Sequence, residues 1–451
     1  MKKTILIPIF QGVEAKNILR TGIFSGLRRH PDIRIVLLVS DQVKKEYFGA
    51  EFYGDNIIYE VVRLPRQSFL GRFFSSLKKH LVRTETMDIK RRQLFRPDRP
   101  VRYFFEWVLN RVLANRPTRK VIRFLDRMLV RDDGSRYLFD RYEPELVFLA
   151  HLFGDEEISL LREARRRNVR SVGLINSWDK ITSRGMVRLL PDKLVVHNEL
   201  IKNDAIKYLD MSPGDVIVTG IPHFDNFVFS RPSSKNVFFK AIGADLNSRL
   251  LLFCPLGKSF SSLDVKYINL LLSIREKGLI PKDIQIIVRF PPNDDVELDG
   301  LKSKEGLIFE RPGRRFGNER GLDWDMNSYD AQRLLDTLFY SSLVVCPPSS
   351  MSIDAAFFDK PVINICFKED DDAHGRINDY YEMTHYKKIL DTRGVRLVYN
   401  QEDLIYWVNG YLERPEIDRA GRSFMVKQQC WKIDGKSGER VAVFVLKLLS
   451  L

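Results

Sequence analysis

Two stretches of the chain bring together residue types that can hold phosphate. In the first, Gly257-Lys258-Ser259 lies within Pro255–Ser262, directly after the apolar run Leu250–Cys254. Backbone amides and one ammonium in a turn after a strand make a cradle for phosphate oxygens. A nucleotide-hydrolysing P-loop also needs a glycine five residues before Gly257. Leu252 stands there, which excludes an ATPase of that type. A plain strand-to-helix turn accounts for the same residues equally well. The second stretch is Pro347-Pro348-Ser349-Ser350-Met351-Ser352-Ile353-Asp354-Ala355-Ala356. Ser349, Ser350 and Ser352 are cap-type residues at a helix start, where free amides can meet a diphosphate. Asp354 is placed one turn in, to accept hydrogen bonds from a ribose or simply to satisfy the helix dipole.

These loops must be carried by something rigid, and the surrounding pattern supplies it. Thr4–Phe10, Arg34–Ser40, Leu146–Ala150, Ser171–Ile175, Lys193–Val196 and Val216–Thr219 read as strands with amphipathic helices between them. The pattern restarts with Leu250–Cys254, Ile284–Phe290, Leu343–Cys346 and Pro361–Ile365. Continuous apolar strands alternating with helices imply parallel sheets covered on both faces. The polar, proline-containing stretch Phe229–Lys235 marks a junction. The expectation is an α/β protein of two doubly wound, Rossmann-like domains facing each other across a cleft. The first spans 1–230 and the second 231–431, with a final helix in 432–451 returning toward the first. Ligands of such domains sit beyond the carboxyl ends of the strands.

The order of several motifs resembles the GT-B glycosyltransferases, most closely bacterial surface-polysaccharide (capsule and O-antigen) transferases and their teichoic-acid polymerase relatives. The resemblance rests on the serine-rich helix start followed by Asp359-Lys360-Pro361-Val362-Ile363-Asn364-Ile365. It also rests on Gly220-Ile221-Pro222-His223-Phe224-Asp225, on Arg289-Phe290-Pro291-Pro292 and on Asp434-Gly435-Lys436-Ser437. It covers about 280 residues from 146 onward. It departs at Pro291, where the family carries His. What it implies is sugar transfer from a nucleotide-sugar donor bound by the second domain, usually without a metal. Gly257, Lys258, Ser259, Arg289, Ser349, Ser350, Ser352, Asp354 and His385 become the candidate donor contacts. A carboxylate or His of the first domain would deprotonate the acceptor. Asp179, in Asn176-Ser177-Trp178-Asp179-Lys180, is the first choice, because related polymerases carry a functional His-Gly loop there. Glu14, His151 and Asp155 are the alternatives, each also readable as a cap. Asp370-Asp371-Asp372 reads as an exposed acidic loop rather than a metal site. No metal and no resident cofactor are expected, although a Mg²⁺ on the diphosphate is chemically possible.

Composition narrows the rest. Of 451 residues, 44% are hydrophobic, which argues against disorder. Cys254, Cys346, Cys366 and Cys430 are far apart, so a reducing compartment fits better than a disulfide scaffold. The opening Met1–Phe10 is too short and too quickly polar for a signal peptide. The net charge is +14, and residues 61–140 hold 20 Lys and Arg against 8 Asp and Glu, a local +12. Three helical patterns are expected in this basic insertion. One is an arc of Phe69, Leu70, Phe73, Phe74, Leu77 and Leu81 opposite Arg72, Lys78, Lys79 and Arg83; the others are Arg102–Ala114 and Arg119–Val130. An anionic membrane surface touched by 68–130 suits this charge better than nucleic acid, for which no binding module is evident. A solvated charged face over an aromatic core, or an oligomer contact, suits it equally, and the transferase resemblance tips the balance to the membrane. The expectation is a cytoplasmic enzyme, peripheral at the inner face of the membrane, acting on a glycan or lipid-linked acceptor. Rival readings are a CDP-glycerol-type glycerophosphotransferase, a nucleotide-sugar 2-epimerase and a non-catalytic membrane scaffold.

Overall fold

The computed structural model describes residues 2–63, 68–95, 98–317, 319, 322–367 and 377–450. Asp370, Asp371 and Asp372 lie outside the described residues. The chain divides into two compact units, Met1–Val228 with Cys430–Leu451, and Phe229–Gln429.

The first unit is built on seven strands: β1 (Lys3–Ile9), β2 (Ile33–Val39), β3 (Ile57–Val61), β4 (Leu146–Leu149), β5 (Arg170–Leu174), β6 (Lys193–Val196) and β7 (Val216–Val218). They form one parallel sheet in the order β3-β2-β1-β4-β5-β6-β7. Strands β1 and β2 are apolar on both sides because both faces of the sheet are covered. Alternate residues serve two cores. Leu6, Val36 and Val147 join one layer, and Ile5, Ile35 and Leu146 the other. Helix Ser437–Leu448 belongs to the second layer through Val441, Ala442 and Val445. It packs on helix Gly22–Arg28 so closely that a Cβ on Gly22 would lie 3.3 Å from the Glu439 amide. Its first amides, Ser437 and Gly438, donate to the Asp225 carboxylate at 3.1 and 2.7 Å. That satisfies two donors which a helix start leaves open.

The second unit carries β8 (Arg249–Phe253), β9 (Ile284–Arg289) and β10 (Leu307–Glu310), then the short antiparallel pair β11 (Arg314–Arg315) and β12 (Trp324–Asp325). Strands β13 (Ser341–Cys346), β14 (Val362–Ile365) and β15 (Arg396–Val398) follow. Its parallel sheet runs β10-β9-β8-β13-β14-β15. In each sheet the winding reverses once, between β1 and β4 and between β8 and β13. Such a reversal opens a crevice at the carboxyl ends of those strands.

In the basic insertion the second and third expected helices are present and the first departs from expectation. Its first helix stops at Leu77 and a tight turn, Lys78–His80, follows, so Leu81 and Arg83 never share its face. Phe74 and Leu81 are buried while Phe69 and Phe73 are exposed. Lys78 turns inward and donates to the Phe153 carbonyl at 2.9 Å. A helix at Glu85–Phe95, absent from the expected pattern, precedes helices Pro100–Leu113 and Arg116–Leu129. Much of the insertion's charge is internal. Asp126 is fully buried between Arg162 and Arg188, each at 2.7 Å. Asp210 takes Arg119 at 2.6 Å and Arg123 at 2.7 Å. Among the described residues no helix is long and apolar enough to cross a membrane.

Candidate functional site

At the crevice of the first unit, β1 ends in the turn to helix Gly12–Asn17, which places Glu14 in its first turn. Glu14 Oε2 accepts from the Phe10 and Gln11 amides at 2.6 and 2.9 Å, while Oε1 has no such donor. On the other side of the reversal, β4 leads through His151 to helix Asp155–Arg166, whose first turn brings Glu157 beside Glu14. Both Glu157 oxygens are buried without a hydrogen bond of good geometry. Burial pushes the Glu14 carboxyl up to about 7. It also pushes Glu157 well above the usual carboxylate range, with the charge of Glu14 adding to the effect. Two like charges in one dry pocket cannot both ionise, so the pair holds a proton near neutral pH.

His151 borders the same pocket. Gly154 stands between them, where a Cβ would lie 2.0 Å from Glu157 Oε2 and 3.4 Å from His151 Cδ2. The imidazole is buried with Nδ1 unpartnered. Burial first, then the charges of Lys180, Arg184 and Lys78, hold its pKa well below the ordinary value, so the ring is neutral. Lys180 follows β5; burial lowers its pKa against the opposing pull of Asp179, Glu14 and Glu157.

The other two candidates of this unit are less buried. Asp179 is held by two hydroxyls of its own loop, those of Ser177 and Ser183, the latter at 3.1 Å. Asp155 is half exposed at the helix start and accepts from Ser75 Oγ at 3.3 Å. The strand order thus gathers Glu14 and His151 and adds Glu157, Lys180 and Lys78, which sequence reasoning missed. Glu157 hides in Asp155-Glu156-Glu157, which reads as ordinary acids at a helix start. Lys78 comes from the insertion and carries no motif at all.

The second unit's crevice has a different character. The amides of Leu256 and Gly257 donate to the Asp264 carboxylate at 3.1 and 2.8 Å. Ser259 donates to Asp294 through its amide at 3.2 Å and its hydroxyl at 3.1 Å. The loop's own acids therefore occupy the cradle that the sequence offered to phosphate. That leaves the half-exposed Lys258, whose ammonium lies 3.7 Å from Asp295. Arg289, at the end of β9, is buried and donates to Glu310 at 2.8 Å, with Nη2 unpartnered. After β13, Ser349 Oγ accepts from the Met351 amide at 3.2 Å, and Ser350 precedes the two-turn helix Met351–Phe357. Ser352 is turned inward. Its fully buried hydroxyl meets Tyr386 Oη at 3.1 Å and accepts from Asn364 Nδ2 at 3.2 Å, so it faces the core and not a ligand. Asp354 lies in the first turn of that helix, close enough to influence the buried Cys254 thiol after β8. His385 is half-buried in helix Thr384–Leu390. Among the described residues no cluster of three or more His, Cys, Asp or Glu suited to a metal occurs.

No protein-family model and no curated protein matches the chain. Solved structures do. A UDP-GlcNAc 2-epimerase from Neisseria meningitidis bound to UDP-GlcNAc is 14% identical, with TM-score 0.57 over 99% of this chain and 100% of that one. A glycosyltransferase from Rickettsia africae is 10% identical, with TM-score 0.51 over 99% of both chains. The wall teichoic acid polymerase TagF is 9% identical, with TM-score 0.52 over 99% of this chain and 88% of that one. At such identities the likeness is one of fold: two parallel-sheet α/β domains of the GT-B type.

Proposed function

We propose that the chain is a glycosyltransferase that moves a sugar from a nucleotide-sugar donor, held by the second unit, to a glycan hydroxyl held by the first. The observation that carries this reading is the buried Glu14–Glu157 pair, with a carboxyl near 7, beside the neutral His151. A group poised near the working pH is what general-base catalysis requires. His151 meets the acceptor hydroxyl and takes its proton as the oxygen attacks the anomeric carbon. The carboxyl pair behind it is the proton's destination, since a neutral, desolvated imidazole holds a proton poorly. The bond from the anomeric carbon to the diphosphate breaks, and its electrons leave with the diphosphate. Lys258 and the free edge of Arg289 stabilise that leaving charge. Asp179, the first candidate for the base, serves here to order the acceptor loop. The four cysteines, buried thiols outside any disulfide, suit a reducing compartment.

A nucleotide-sugar 2-epimerase is the second reading, favoured by the match in fold and by the same carboxyl pair, which suits proton removal from a sugar carbon. One experiment separates the two. The full chain is incubated with UDP-GlcNAc in deuterated buffer, with and without an oligosaccharide acceptor. Acceptor-dependent release of UDP supports transfer, whereas acceptor-independent deuterium in the sugar supports epimerisation. Glu14→Gln and His151→Ala each lower the rate by about 10²–10⁴-fold under the transferase reading. Calorimetry with UDP, CDP and CMP tests the donor site, and a chain that binds none of the three has no such site.

A further inference from the structure

Helices Pro100–Leu113 and Arg116–Leu129 are built inside out. Their polar edges point into the protein. Asn110 is fully buried and donates to the His80 and Val82 carbonyls at 2.9 and 3.0 Å. Glu106 meets His80 at 3.2 Å. On the next helix Arg119 reaches the Leu81 carbonyl at 3.4 Å, and Arg119, Arg123 and Asp126 are spent on the internal ion pairs described above. Both helices therefore clamp the segment 80–82 with polar side chains. Their apolar edges are left outside: Val101, Phe104, Phe105 and Val112 on one helix, Phe124 and Met128 on the other, each half or more exposed. At 100° per residue these positions fall on single faces turned away from the buried polar ones. Leu113 and Ile122 pack on the small cluster of Leu81, Val82 and Met186. Scattered exposed apolar residues are ordinary, but two consecutive helices with most of their apolar residues outward are not.

We infer that this face docks on an anionic lipid bilayer. The chemistry at its borders selects that occupant. Arg102 stands at one edge of the first helix, 3.7 Å from Glu106, and Lys120 and Arg127 line one border of the apolar face of the second, all exposed. Long basic side chains at the borders of an apolar stripe reach lipid headgroups while the stripe enters the acyl boundary. A second copy of the chain is disfavoured by charge, because it would bring together two sets of the exposed Arg102, Lys120 and Arg127. The inference stands independently of the transferase reading.

The test is co-sedimentation of the full chain with vesicles of phosphatidylcholine, alone or mixed with phosphatidylglycerol. The expected result is binding to the mixed vesicles that falls with added salt. Replacing Arg102, Lys120 and Arg127 by Gln lowers it by about five-fold per charge. The variant Phe104→Ser/Phe105→Ser/Phe124→Ser abolishes it without moving the melting temperature, since those side chains are exposed. Wild-type protein that stays in the supernatant overturns the inference, as does equal binding to neutral vesicles. A dimer that the serine variant dissociates, with no vesicle binding, overturns it in favour of a second copy.

Discussion

The two crevices occupy equivalent places in their sheets yet treat buried charge in opposite ways. In the second unit Glu310 takes Arg289 and Arg333 at 2.8 Å each and accepts from Thr337 as well, and Asp264 and Asp294 bind the loop amides. In the first unit Glu14 Oε1 and the Glu157 oxygens have only each other to share a proton with, and the buried His151 Nδ1 has no partner of good geometry. Each unsatisfied group costs about 1–3 kcal/mol. The acids of the second unit's edge are thus all paired, with Arg289 Nη2 left over, whereas the acids of the first unit's edge are not. Under the transferase reading proposed above, the satisfied edge would carry the donor and the open one would move the proton.

The contrast can be broken from either side. Removing a carboxylate from the satisfied edge should be costly: Glu310→Ala strands two guanidinium groups and lowers stability by about 3–5 kcal/mol in urea unfolding. An unchanged midpoint would mean that Arg289 was never dependent on it. Removing a carboxylate from the open edge should do the reverse. The folded state raises the Glu14 pKa from 4.5 to about 7, so it favours the protonated form. That contribution is full below pH 4.5 and is lost as pH rises through about 7. Glu14→Gln keeps an acceptor for the Phe10 and Gln11 amides but cannot ionise. Its stability relative to wild type should therefore rise between about pH 4 and pH 8 by roughly 3 kcal/mol. Thermal melts at the two pH values check this, and a constant difference would remove the proton from the pair. The smallest effect is expected at Lys258, whose Asp295 partner is also half exposed. Lys258→Ala should change stability by less than about 1 kcal/mol while weakening nucleotide binding about tenfold. Equal affinity in calorimetry would leave the donor without its cation.

Interior strands were legible from sequence because burial on both faces makes them uninterrupted apolar runs. The unexpected members of the parallel sheets, β3, β10 and β15, are outermost strands. Their half-exposed residues, such as Ile-Ile-Tyr-Glu-Val in β3, mix polar with apolar and lose that signal. The site was legible only in part for a related reason. Glu14 and His151 follow recognisable strands, but their pairing with Glu157 depends on β1 lying beside β4, distant along the chain. No local pattern encodes that adjacency. In the insertion the helices expected at Arg102–Ala114 and Arg119–Val130 were legible, while the first was cut short by the turn at Lys78–His80. Periodicity gives a helix two faces without saying which one is inward.

The closing helix, Ser437–Leu448, has a consequence for the order in which the protein comes into being. The second unit is a continuous run of chain, whereas the first lacks Val441, Ala442, Val445 and Leu449 of its own core until the final stretch has been made. During synthesis domains fold as units once their residues have emerged. The unit that starts first on the ribosome is thus finished last, after every residue of the later one has already been made.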